Sequence, residues 1–358
     1  MSVADDAGRR PVGTGPAGAG SAGAGGAGSL RAAGPGSAGS GRPLGPAAGR
    51  SASVLPGAPA PSGAPHRLSP AHSGAALRSR SSGGARRGWQ DVEARLLSIV
   101  GRLTERDRQL CRLLDDHRVL TTAQVADVGF AGERRARMRL AELYALCVLD
   151  RFRPQAWGSP SPFHWVLGPL GAALVAAESG TDPADHTWRR SLAHDLATSQ
   201  RLAHLVGVNG FFTGLLRSAR TRPGSELVEW WSERRCAREW GEVVRPDGYG
   251  IWSEADATLP FLLEHDNGTE RLERLAAKLP GYARLAAAAG HPNWVLFSFP
   301  SPGRERDARR VLAHHGVPVA TCVRHAGSPP DAAIWLPVAS GTARLRLAQL
   351  ADVALPQA

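Results

Sequence analysis

Residues Phe261-Leu262-Leu263-Glu264-His265-Asp266 read as a strand that stays apolar until it ends in charge. Side chains alternate along a strand, so Leu262, Glu264 and Asp266 share one face and Phe261, Leu263 and His265 the other. Two carboxylates closing an apolar run on one face are costly unless something cationic compensates them. Upstream, Pro246-Asp247 lies in a second strand, over 243–252, and supplies a third acid. Carboxylate oxygens suit Mg2+ or Mn2+. Asp247, Glu264 and Asp266 are therefore candidate metal ligands, of the kind that metal-assisted phosphodiester hydrolysis requires. A plainer reading stands beside this one. Pro-Asp-Gly is a common turn, and Asp266-Asn267-Gly268 can close a strand ahead of a helix capped by Thr269.

Working outward, helices are expected over 191–206 and 211–220, then strands over 227–232, 243–252 and 258–266. A helix follows over 269–289, interrupted near Pro280-Gly281, then a strand over 293–299 and a helix over 304–314. A strand over 317–322, an edge strand over 332–337 and a last helix over 342–350 complete the pattern. That order predicts a mixed sheet with helices on its faces across 187–358. Lys278 is the only lysine among 43 basic residues. In a chain this rich in Ala, Gly, Pro and Arg, a lysine that resists replacement marks a need for lysine chemistry, or is chance. Its place on the expected helix, beside Arg271 at the edge of a Leu272/Leu275/Ala276/Leu279 stripe, lets it lean toward the sheet or toward water. His194-Asp195 is a candidate for an outer contact to the acids, or a solvated helix face.

The preceding segment, 89–182, has a different rhythm. A helix is expected over 91–102. Thr104 reads as the cap of the next, with Glu105 and Asp107 in its first turn. Thr121 caps a short helix, Phe130-Ala131-Gly132 turns the chain, and a helix runs over 133–147 with Ala136, Leu140, Leu143 and Cys147 on one face. Two strands follow, over 148–153 and 163–167. Helix, short helix, arginine-rich helix and hairpin is the order of a winged helix-turn-helix. Arg134, Arg135, Arg137 and Arg139 lie largely off the apolar face, where a recognition helix carries its DNA contacts. Arg151 and Arg153 fall in the wing, within reach of flanking phosphates. The alternative is an ordinary solvated helix, with Glu133 and Glu142 pairing these arginines.

Residues 1–88 are Gly, Ala, Pro, Ser and Arg, with ten arginines against Asp5 and Asp6. Such a segment cannot bury enough surface to order itself and is expected to be disordered. It holds most of the +11 formal charge, so the basic balance says little about the rest. Cys111, Cys147, Cys236 and Cys322 are widely spaced, which argues against structural zinc and a disulfide framework. No membrane span or export signal is legible, and a cytoplasmic protein is expected.

Pro246-Asp247 followed by Glu264-His265-Asp266, in α-β-β-β-α-β order, resembles the PD-(D/E)XK nuclease superfamily. The longer run Phe261-Leu-Leu-Glu264-His-Asp266-Asn-Gly268-Thr269-Glu270, with Lys278-Leu279 and Tyr282 behind it, resembles the actinobacterial replication-relaxation family. The resemblance implies a multidomain α+β and α/β chain: a disordered tail over 1–88, a winged helix-turn-helix over 89–182 and a nuclease-like α/β domain over 187–358. It implies double-stranded DNA as partner, beside other replication or transfer proteins of a plasmid or integrative element. It also implies catalytic roles for Asp247, Glu264 and Lys278. Asp266 stands where the superfamily places its lysine, so Lys278 from the following helix is the substitute. Metal-dependent nicking and a non-catalytic regulator with a degenerate nuclease-like domain both remain open. A homodimer is expected, because helix-turn-helix proteins often read paired half-sites.

Overall fold

The computed structural model describes residues 82–154, 161–182, 188–189, 191–313, 316–325, 327–339 and 342–354. Its first helix, α1 (Ser82–Ile99), starts inside the stretch expected to be disordered. Residues 1–81 of that stretch lie outside the described residues. The next two helices start by the same device. The Thr104 hydroxyl accepts the Asp107 N–H while the Asp107 carboxylate takes the Thr104 N–H, which opens α2 (Glu105–His117). Thr121 and Gln124 repeat the exchange to open α3 (Thr122–Gly129). Each box satisfies donors that a helix start otherwise leaves open.

Between these helices runs β1 (Leu120–Thr121), and after them come α4 (Glu133–Ala145), β2 (Leu149–Phe152) and β3 (His164–Leu167). The three strands form an antiparallel sheet in the order β1-β3-β2. Ala136, Leu140 and Leu143 are buried on the face of α4 that the spacing selects. A helix not expected from the sequence follows, α5 (Pro169–Ser179). Residues Leu170 through Ala176 are all buried, so no polar face betrays its period.

The remainder is α6 (Leu192–Ala197), α7 (Leu202–Thr221), β4 (Ser225–Ser232), α8 (Glu233–Trp240), β5 (Gly248–Glu254) and β6 (Ala257–His265). Then come α9 (Leu272–Ala276), α10 (Leu279–Ala289), β7 (Trp294–Phe299), α11 (Pro302–Leu312), β8 (Val319–Val323) and β9 (Leu336–Pro337). The six strands lie in the order β4-β5-β6-β7-β8-β9. Pairing is antiparallel from β4 to β6, parallel from β6 to β8 and antiparallel to β9. The sheet is mixed, as expected. One face packs Phe261, Leu263 and Leu296 against Phe211 and Phe212 of α7. The other packs Leu262 and Phe297 against Leu279 and Tyr282 of α10 and Leu312 of α11.

Several elements differ from the reading of the sequence. The helices expected over 191–206 and 211–220 are α6 and a longer α7 that runs unbroken through 207–210. β5 starts at Gly248 rather than 243, and α8, which buries Cys236, was not expected. The helix expected over 269–289 with an interruption near Pro280-Gly281 is two helices, parted slightly earlier, at Ala277-Lys278. Pro280 sits in the first turn of the second, where its missing N–H costs nothing. The last expected helix is a short 3-10 turn, Ala348–Asp352.

Helix α7 serves both parts of this unit. The Asn209 amide donates to the carbonyls of His117 at 3.1 Å and Val119 at 2.7 Å. Gln124 Nε2 donates to the Val206 carbonyl at 2.7 Å. Arg220 caps the end of α3 through the carbonyls of Ala126, Asp127 and Phe130. His117 stacks on Trp230 of β4 with ring centroids 3.7 Å apart. No helix among the described residues is long and apolar enough to cross a membrane.

Asn209→Leu keeps the size of the side chain but removes an amide bond from each of two carbonyls, those of His117 and Val119. It is expected to destabilise the chain by about 2–4 kcal/mol in urea unfolding. Arg112→Ala, which breaks only exposed ion pairs, is expected to cost less than about 1 kcal/mol. Equal unfolding midpoints for Asn209→Leu and the parent would count against α7 as the joining element.

Candidate functional site

The strand register builds the site. Gly248 pairs with Leu263, and the Asp247 N–H still donates to the Leu263 carbonyl at 3.0 Å. Continuing the antiparallel register by one residue sets Asp247 beside Glu264. The Asp247 Oδ2 accepts the His265 N–H at 2.7 Å, so the end of β6 holds this carboxylate from the backbone. Its Oδ1 lies 3.1 Å from His204 Nε2 of α7. Glu264 turns toward α10, where one oxygen meets Lys278 Nζ and the other the Tyr282 hydroxyl. Lys278 occupies the N-cap of α10. There the lysine is turned toward Glu264, a direction that the apolar stripe of the expected helix left undecided.

Asp266 does not join this group. Arg304 of α11 holds both its oxygens, Nε at 2.8 Å and Nη2 at 3.2 Å. Arg324 takes the Asp266 carbonyl at 2.7 Å. The sequence places Asp266 on the same face as Glu264, and alternation is observed, but a guanidinium compensates it in place of an ion. Among the described residues no three acidic, histidine or cysteine side chains gather as a metal ion would need. Of the three acids expected to act together, Asp247 and Glu264 meet at the strand ends, while Asp266 is taken by Arg304.

The charges at this centre are strongly coupled. Burial pushes the Glu264 carboxyl up to about 7, aided by the Asp247 charge and opposed by Lys278 and Tyr282. Burial works against ionisation of Asp247 too. There the His204 bond and charge, Lys278 and the His265 N–H win and hold it below the usual carboxylate range. His204 is buried as well, yet Asp247 raises it above the ordinary imidazole value. Lys278 is raised despite burial, by Glu264 and Asp247. The His265 ring faces α7 and is pushed down to about 3 by burial and then by the charges of Arg324 and His204, so it is neutral. Gly207 makes room for that ring, since a Cβ there would overlap it.

His204 and Arg304 escaped the sequence reading. The spacing His204-x-x-Gly207 is the one local signal for the first, a histidine with a bare backbone position one turn later. Arg304 gave none, because its partner is 38 residues away. His194-Asp195 is not an outer contact of the centre. Asp195 pairs with Arg189 and Ser191 instead.

The arginines of the first part divide sharply. Arg134, Arg135 and Arg137 are exposed on α4 and make no ion pair among the described residues. Met138 stands exposed beside them. Arg139 is consumed by the fold. It donates to both oxygens of Asp107, at 3.0 and 2.5 Å, to Glu142 at 2.6 Å and to the Arg102 carbonyl at 3.0 Å. Its expected place among the DNA contacts is corrected accordingly. Arg151 lies over the Phe163 ring at 4.1 Å and the Tyr144 ring at 4.5 Å, and Arg153 over Phe163 at 3.8 Å.

Fold and site together define a mixed α/β protein whose sheet carries a buried carboxylate–lysine centre. The family model described as replication-relaxation matches residues 111–294, which is more than half of the chain, and the protein belongs to that family. The match takes in both α4 and the carboxylate–lysine centre. Neither the curated proteins nor the solved structures gave a match.

The Glu264 shift has a sign that can be measured. Folded Glu264 keeps its proton above the ordinary value of 4.5, so it favours the folded state at low pH. That contribution is lost as pH rises from about 4.5 to about 7. The raised His204 acts in the same direction. Its contribution is complete below 6.5 and disappears as pH climbs through its folded value. Urea midpoints are expected to fall across this range in the parent. Glu264→Gln is expected to flatten the part below pH 7. A parent profile without that fall would show that Glu264 ionises freely.

Proposed function

We propose that the protein binds double-stranded DNA and acts in its replication or relaxation, with a winged helix-turn-helix over 89–182 as the reader. The observation that carries this is the outward face of α4. It presents Arg134, Arg135, Arg137 and Met138 to solvent, while its inner face is buried and Arg139 bolts it to α2. Unpaired guanidiniums on an exposed helix reach phosphates and guanine edges, and an apolar neighbour can meet thymine methyls. Arg151 and Arg153, braced on aromatic rings in the β2–β3 wing, would lie along the flanking backbone.

Within the same proposal, the domain over 187–358 is nuclease-like and its working residues are Asp247, Glu264 and Lys278. The donors fit Mg2+ or Mn2+ in kind. Two buried carboxylates meet on adjacent strands, and burial followed by the Asp247 charge already raises Glu264. Asp247 and Glu264 would hold the ion, and Asp266 would not. A divalent ion there would lower the pKa of a water and offset charge on the phosphate. Lys278 is placed to hold a proton or a charge next to Glu264. A binding-only protein is the second reading. It is favoured by the same bonds, since each carboxylate already has partners within the chain.

Incubating supercoiled plasmid with the protein and Mg2+ or Mn2+ separates the two readings. Open circles are expected from the parent, and at least 100-fold fewer from Asp247→Ala. Intact plasmid in both would leave the binding-only protein. Arg135→Ala with Arg137→Ala is expected to weaken duplex binding about tenfold or more without lowering Tm. Arg139→Ala is expected to lower Tm instead. Unchanged affinity in the double variant would remove α4 as the reader.

A further inference from the structure

The chain leaves α2 through a backbone conformation that few side chains tolerate. Arg118 has φ 68° and ψ −41°, and the Val119 N–H closes a three-residue turn on the His117 carbonyl at 2.8 Å. This is the strained kind of γ-turn, where glycine would cost least. Asn209 holds it, with one buried amide bonding the carbonyls on both sides of Arg118. Strain that the surroundings enforce points toward function rather than stability.

The side chain held in this way is a half-buried arginine, and it makes no ion pair among the described residues. It lines a pocket of about 190 Å3 together with Arg189, Arg234, Asp115 and Trp188. Among the described residues that line it are three guanidiniums and one aspartate. Arg189 bonds Asp195 at 3.1 Å, and Arg234 spends one donor on the Asp115 carbonyl at 3.1 Å. Burial, then the like charges of Arg234, Arg189 and Arg201, hold Arg118 below its ordinary pKa. An anion relieves that crowding. The pocket is smaller than the usual small-molecule site of about 300 Å3 or more, so it suits one phosphate group whose remainder stays outside. Arg201, at the start of α7, pairs with Glu233 at 2.7 Å and also feels the Asp247 charge.

We propose that Arg118, Arg189 and Arg234 form a phosphate-binding site, which takes a backbone phosphate of the DNA strand presented to Asp247 and Glu264. The DNA part rests on the proposed function, while phosphate binding by the pocket does not. Guanidinium forks match phosphate oxygens in pairs, which is why arginine suits this task better than lysine.

Arg118→Gly tests the site cleanly, because it relieves the backbone while removing the guanidinium. Its Tm is expected to equal or exceed that of the parent. Titrations of a mixed-sequence duplex at several salt concentrations are expected to show about tenfold weaker binding, with the salt slope smaller by about one. Arg234→Gln is expected to act in the same direction. In parallel, inorganic pyrophosphate is titrated against parent and Arg118→Gly by calorimetry. Duplex binding with a reduced slope in the variants supports a DNA phosphate. A parent that binds pyrophosphate but no duplex, with binding lost in Arg118→Gly, sinks the DNA reading and assigns the pocket to a free phosphate. Variants that match the parent in both titrations, or a parent that binds neither probe, overturn the site.

Discussion

Three carboxylates buried around the end of β6 dictate where the helices must lie. Asp247, Glu264 and Asp266 are each nearly inaccessible, and a buried charge without a partner costs several kcal/mol. Each is met from a different helix. α7 brings His204 to Asp247, α10 brings Lys278 and Tyr282 to Glu264, and α11 brings Arg304 to Asp266. Helices on both faces of the sheet are thereby anchored at one end of the central strands. Apolar packing alone would let them slide, since it has no direction. The ion pairs supply the register.

Helix α7 carries that constraint into the rest of the unit. Its His204 end meets the carboxylates, Asn209 clamps the turn after α2, and Arg220 closes the end of α3. Asn209 and Arg220 make bonds to backbone carbonyls rather than to side chains. Backbone partners cannot swing away, so the polar contacts fix α7 to α2 and α3 more firmly than a surface ion pair would. The face of α4 and the carboxylate centre are therefore parts of one framework. Whatever α4 holds is presented to the sheet at a set distance.

Much of this was legible in the residues. Period-3.6 patterns located α2, α3, α4 and most of α7, and apolar runs bounded by turn residues located the strands β6 to β8, which are buried on both faces. α5 was invisible as a helix, being apolar all round. α8 was not read as an element, because Cys236 is its single buried position. At the site, the pairing of Asp247 with Glu264 followed from two strands and their alternation. The fate of Asp266 did not, because Arg304 reaches it from across the fold and pattern reading sees only neighbours. Arg139 failed for a similar reason. Its position on α4 looked solvent-facing, and only Asp107, capped by Thr104 on another helix, shows that it is consumed. Charge partners distant in sequence are what a single chain hides.

The lone lysine illustrates the opposite case, where the structure supplies a reason that composition only hinted at. Of 43 basic residues one is lysine, and it stands at the buried carboxylate. An arginine in that place would bring five donors in a rigid fork. Tyr282 already occupies the second oxygen of Glu264, so a guanidinium there could not take both carboxylate oxygens in a fork. The fork is used at Asp266, where both carboxylate oxygens and the Glu270 carbonyl are open to receive Arg304. Beside Glu264 a compact ammonium, a point charge with rotatable donors, meets the one oxygen that Tyr282 leaves open, and Glu264 and Asp247 in turn hold its proton on.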